Sequence, residues 1–115
     1  MKLKDIKEKL NLNLLIDSSL IDLNKEINYG YASDLLSDVL ANAKKDSIWI
    51  TLQIHPNIIG VASLKELAGI IIINNRKPEA ETISKASNEK IPLFTTELPC
   101  FELIGKLYQF GIKGL

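Results

Sequence analysis

Gly69-Ile70-Ile71-Ile72-Ile73-Asn74-Asn75 is the stretch on which the fold turns. Four consecutive isoleucines are β-branched, stiff at χ1 and suited to a pleated backbone. Side chains alternate across a strand, so a half-exposed strand would show a polar residue at every second position. Unbroken isoleucine implies burial on both faces, the condition of an inner strand of a parallel sheet. Gly69 before the run and Asn74-Asn75 after it act as punctuation.

On the amino-terminal side of this run, Ile48-Trp49-Ile50-Thr51-Leu52 is a second strand, again β-branched and aromatic. Between the two, Pro56 suits the first turn of a helix that carries Ile59, Ala62 and Leu67 inward. On the carboxyl-terminal side, Pro78 opens another helix with Ile83 and Ala86 facing in, and Pro92-Leu93-Phe94-Thr95 forms a shorter strand. Thr96 caps a last helix with Pro99 in its first turn. Phe101, Ile104, Leu107 and Tyr108 form its apolar stripe, and Gly111 stops it. Strands and helices alternating at this spacing require βαβ crossovers: an α/β fold with a mainly parallel sheet flanked by helices.

The first half is less regular. Leu3, Ile6 and Leu10 repeat as one face of a short helix whose lysines form its wet side. Leu12 to Ile16 reads as an apolar strand, and Asp17 to Asn28 as a loose segment gripping the core through Ile21, Leu23 and Ile27. Tyr29-Gly30-Tyr31 reads as a turn. Ser33 is then an N-cap, with Asp34 against the helix dipole, for a helix Ser33 to Lys44 carrying Leu35, Leu36, Val39, Leu40 and Ala43. Asp46-Ser47 ends that helix.

The chain has 115 residues, the size of a single domain, with 46% hydrophobic and 24% charged residues. Fourteen Lys+Arg offset fourteen Asp+Glu, so the basic excess typical of a nucleic-acid binder is missing. Cys100 is the lone cysteine and His55 the lone histidine, which leaves no internal disulfide and too few ligands for a thiolate or zinc centre. No run approaches the roughly 18 apolar residues of a membrane span. A reducing cytoplasm fits this composition, and no cofactor is expected.

Neither G-x-x-x-x-G-K-[ST] nor G-x-G-x-x-G occurs. Gly105-Lys106 imitates the first, but Leu107 follows where a magnesium-holding hydroxyl belongs. ATP-dependent phosphoryl transfer is therefore not expected. His55 stands between a strand and a helix start, where anions meet free N–H groups, so it is a candidate anion contact or acid–base. As a structural residue it would cap the turn instead. Thr51, Gln53, Asn57, Asn74, Asn75 and Thr95, with Arg76 and Thr96, follow or end strands and are expected to surround His55 as a polar rim at the carboxyl edge of the sheet. Turn and cap chemistry accounts for the same residues equally well.

Asp34-Leu35-Leu36-Ser37-Asp38-Val39-Leu40-Ala41-Asn42-Ala43, Ile48-Trp49-Ile50-Thr51 and His55-Pro56-Asn57-Ile58-Ile59-Gly60-Val61-Ala62-Ser63-Leu64 resemble the small stand-alone DRTGG-domain proteins. The resemblance continues through Ile70 to Ile73 and Phe101-Glu102-Leu103. Where the family's Asp-Arg pair would stand, the chain has His55-Pro56; where Thr-Gly-Gly would stand, it has Ile73-Asn74-Asn75. DRTGG domains are similar to the amino-terminal domain of HPr kinase/phosphorylase, whose sheet resembles a domain of the Mur ligases. The resemblance implies a non-catalytic regulatory module beside a metabolic enzyme, binding a small anionic or nucleotide ligand or a protein partner, and linked to energy or redox metabolism. A small enzyme using His55 and a structural adaptor without a ligand are the alternatives. The large apolar groups of Trp49, Tyr29, Tyr31, Phe110 and the closing Ile112-Lys113-Gly114-Leu115 suggest a homodimer.

Overall fold

The computed structural model describes residues 1–115. The isoleucine run forms β4 (Gly69–Ile72), the middle strand of a five-stranded sheet. Its neighbours are β3 (Ile48–Thr51) and β5 (Leu93–Thr95), both parallel to it. Ile71 and Ile73 pack into a cluster on one face with Ile48, Ile50 and Phe94, and Ile70 and Ile72 into a cluster on the other with Trp49 and Leu93. All four isoleucines are buried, as alternation across a doubly covered strand requires. Gly69 is a necessity of packing. A Cβ there would lie 3.1 Å from the Pro92 carbonyl oxygen and 3.2 Å from Ile48 Cδ1.

The outer strands are β2 (Gly30–Ala32), parallel to β3, and β1 (Asn13–Leu14), antiparallel to β5. The order is β1-β5-β4-β3-β2. The parallel strands thus follow one another in chain order without reversal. The crossover helices α2 (Leu36–Asn42), α3 (Asn57–Leu64) and α4 (Ala80–Glu89) stack side by side and supply one cluster, with Val39, Ile58, Ile59, Ala62 and Ala86. Helices α1 (Leu3–Lys9) and α5 (Cys100–Gln109) cover the other face, with Leu3, Ile6, Leu103 and Leu107. After α5, Gly111 takes the left-handed conformation at φ +93° and turns the chain. Ile112 is buried, and Lys113 pairs along β2: its N–H donates to the Asn28 carbonyl and its carbonyl accepts from the Gly30 N–H.

Several local expectations are corrected. Tyr29-Gly30-Tyr31 is no turn: Gly30 and Tyr31 begin β2, because the edge position tolerates a short strand containing glycine. The strand expected over Leu12 to Ile16 shrinks to two residues at the opposite edge. The helix expected from Ser33 begins at Leu36 and ends at Asn42. Asp34 is held by the sheet, and the Ser33 hydroxyl accepts the Leu35 N–H in a loop. Pro78 lies outside α4, which starts at Ala80, and Thr96 caps the Leu98 N–H in the loop rather than the last helix. Phe101 and Tyr108 point outward, 89% and 52% exposed, and the buried stripe of α5 is Leu103 and Leu107. Trp49 belongs to the core, its indole N–H donating to the Ser33 carbonyl at 2.8 Å. No helix is long and apolar enough to cross a membrane.

Candidate functional site

The carboxyl ends of the parallel strands deliver the loops in which the polar candidates lie. Thr51, the last residue of β3, is buried; its hydroxyl donates to Asp34 Oδ1 at 2.8 Å and accepts the Gln53 N–H at 3.1 Å. Asp34 Oδ1 also accepts the Leu52 N–H at 2.7 Å, and the Gln53 side-chain amide donates to the Asp34 carbonyl at 2.8 Å. The loop after β2 is therefore stapled to the loop after β3. Asp34 is the residue that the sequence hid: its side chain serves the sheet, although its position beside Ser33 suggests a helix start.

The next loops continue the pattern. Arg76, after β4, donates from Nη1 to the Leu52 carbonyl at 2.5 Å. Thr82 of α4 is buried and donates from its hydroxyl to the Ile54 carbonyl at 2.7 Å. Asn74 and Asn75 both take left-handed backbone angles, φ +59° and +56°, which asparagine adopts more readily than most residues. Their N–H groups donate to Leu98 and Thr96 carbonyls in the loop after β5. Each loop grips the next across the whole edge, and no buried side-chain nitrogen or oxygen lacks a partner.

His55 is exposed, and its Nδ1 accepts the Asn57 N–H at 3.1 Å. An accepting Nδ1 requires the proton on Nε2, which then faces solvent as a donor. The N–H groups of Ile58 and Ile59 are taken by the carbonyls of His55 and Pro56. The first turn of α3 is thereby closed upon itself. Asn57, Asn74 and Asn75 expose their side chains, whereas Thr95 is buried in β5. The structure joins Thr51 and Gln53 through Asp34, joins His55 to Asn57, and joins the Asn74-Asn75 turn to the loop after Thr95. None of the three principal cavities is lined by these seven residues. No cluster of His, Cys, Asp and Glu could hold a metal ion.

Cys100, the first residue of α5, is half-buried. Burial, and secondarily the negative charge of Asp34, push its thiol above the ordinary value.

The principal apolar cavity, about 270 Å³, lies elsewhere, beside the outer edge of β2. A polar cleft of about 470 Å³ lies between the end of α1 and the loop after β5, lined by Lys9, Asn13, Glu97 and Lys106 among others.

No family model matches the chain, and no curated protein matches it either. Among solved structures, it is similar to the crystal structure of the CBS and DRTGG domains of the regulatory region of Clostridium perfringens pyrophosphatase, complexed with the activator diadenosine tetraphosphate. The TM-score is 0.68 at 14% identity, over 90% of this chain and 44% of that one. The chain thus spans less than half the length of that regulatory region. The likeness is one of fold.

Proposed function

We propose that this chain is a non-catalytic regulatory domain that binds a small anionic or nucleotide ligand at the carboxyl edge of its sheet. The observation that carries the reading is the fold likeness, over nine-tenths of the chain, to a regulatory region that binds a nucleotide activator. The rim supplies chemistry of the right kind. His55 Nε2–H, the side chains of Asn57, Asn74 and Asn75, and the remaining N–H groups of Arg76 are donors facing solvent. Thr51, Gln53 and Thr95 hold the strands and loops that carry them. The pyrophosphatase setting supports a metabolic enzyme as partner, and the cytoplasm is part of the proposal. A homodimer is part of the same reading, and light scattering would report it as twice the 12.8 kDa chain mass.

A thermal-shift titration with diadenosine tetraphosphate, ATP and AMP tests the ligand. A compound that binds only the native state stabilises it by about 2.7 kcal/mol at a hundred times its Kd, a rise of several degrees in melting temperature. His55→Ala and Arg76→Ala should each reduce that rise. Absence of a shift with all three nucleotides would remove the nucleotide reading. Transfer of labelled γ-phosphate from ATP by the purified chain would overturn the non-catalytic one.

A further inference from the structure

The apolar cavity beside β2 has a simple origin. On the face covered by α5, the residues that β2 presents are Gly30 and Ala32, because Tyr31 packs into the opposite cluster. Two nearly absent side chains leave a trough above the strand. Its floor runs on to Ile50 of β3, and its walls are Ile104 and Tyr108 of α5 with Ile112 beyond. Seven of its ten lining residues are hydrophobic and none is acidic.

Two further features lie at this trough. In the parallel ladder with β3, Tyr31 directs its backbone groups inward, while Gly30 and Ala32 direct theirs outward. The Gly30 N–H is taken by Lys113, but the Ala32 N–H and the Gly30 carbonyl have no backbone partner. Lys113 itself lines the trough. Its ammonium sits 4.1 Å from the Tyr108 ring centroid and pairs with no carboxylate; the ion pairs of the chain are Met1–Glu26, Lys25–Asp46 and Lys45–Glu66.

We propose that this trough binds a small amphipathic carboxylic acid, its aromatic or branched aliphatic body above Gly30 and Ala32 and its carboxylate on Lys113. The apolar walls reward an apolar body, and the Lys113 ammonium, in no ion pair and the single charged group of the lining, attracts a negative head group. The inference is independent of the nucleotide reading, since it concerns other residues and another ligand class.

The experiment is a backbone-amide NMR titration of the wild-type chain with 3-phenylpropanoate and, separately, with its neutral amide. Saturable shifts confined to Gly30, Ala32, Ile50, Ile104 and Ile112–Gly114 are expected from the acid. The amide should bind about fivefold or more weakly, the loss expected of one partly exposed charge interaction. Lys113→Met should bring the two affinities together, and Ala32→Phe, which fills the trough, should abolish both. Absence of saturation at millimolar acid, shifts located elsewhere, or equal binding of acid and amide by the wild type would each overturn the proposal. So would concentration-dependent broadening at the trough residues without ligand, which would identify a second copy as the occupant. The acid–amide comparison needs no variant and stands even where Ala32→Phe fails to fold.

Discussion

The carboxyl rim and the β2 trough differ in almost every respect that bears on binding. The rim is crowded with polar side chains, yet Thr51, Asp34, Gln53, Arg76 and Thr82 are turned on one another or on neighbouring carbonyls. The trough has few polar groups: the Lys113 ammonium lies over the Tyr108 ring and in no ion pair, and the Ala32 N–H and Gly30 carbonyl have no backbone partner. Density of polar residues along a sheet edge therefore measures how the loops are held as much as what they bind. The trough instead combines an apolar surface with a single charged side chain, Lys113. Topology sharpens the contrast. Because β2, β3, β4 and β5 follow in order, the sheet has no point of reversal at which a crevice would open between diverging loops.

The largest expected effect removes both regions at once. Ile71 lies on the central strand, fully buried among the residues beneath α1 and α5. Ile71→Asp places an unpaired carboxylate there at a cost of several kcal/mol, comparable to the roughly 5–15 kcal/mol of a whole domain. Circular dichroism should show an unfolded chain at 25 °C. A soluble variant with an unchanged melting curve would show that β4 is not the centre of the sheet.

A smaller change separates the two regions. Thr51→Val preserves shape but removes the hydroxyl that donates to Asp34 and accepts from Gln53, a loss of about 2 kcal/mol measured by urea unfolding. Amide exchange should rise at Leu52 and Gln53 and stay unchanged at Ile112 and Lys113. Equal acceleration at both places would mean that rim and trough are one cooperative unit.

The smallest effect concerns the strand beneath the trough, approached from its other face. The Tyr31 hydroxyl donates to Asp38 at 2.8 Å. The Asn42 amide foremost, with Tyr31 adding to it, holds the Asp38 carboxyl below its ordinary value of 3.8, while the bond to Asp38 raises the Tyr31 phenol above 10.0. A depressed carboxyl contributes stability that is present above its ordinary value and lost as pH falls through the lowered one. A raised phenol contributes stability that is present below 10.0 and lost as pH rises beyond it. Tyr31→Phe should thus weaken the domain slightly between these limits, with the difference from wild type shrinking in acid. A difference that persists unchanged at pH 2 would assign the effect to packing.

What was legible in the chain follows the strength of local signals. Ile48 to Leu52 and Ile70 to Ile73 announce inner strands because both faces of an inner strand must be apolar, and the helix between them begins at Pro56-Asn57 as the proline suggests. β2 was illegible because an edge strand of three residues with a glycine needs no apolar alternation. The stripe of α5 was misphased because Phe101 and Tyr108 share helical spacing with Ile104, while only contact with the sheet selects Leu103 and Leu107. The rim residues could be named from their places after strands, but not the staple through Asp34, which joins residues 17 apart in the chain. The trough was invisible: Gly30 and Ala32 matter there by what they lack.

The pairing of Lys113 with Asn28 and Gly30 also has a consequence for the order of assembly. The strands from β2 to β5 are joined by short crossovers, so each parallel pairing closes a modest loop. The two outermost pairings, Asn13 with Thr95 and Tyr29 with Lys113, instead join residues from opposite ends of the chain. Closing loops of that length carries the greatest entropic cost, and neither pairing brings more than a few residues with it. The parallel centre is therefore expected to assemble first and the two margins last. Native-state hydrogen exchange in mild denaturant should then show the edge of β2 opening at lower free energy than the isoleucine strand.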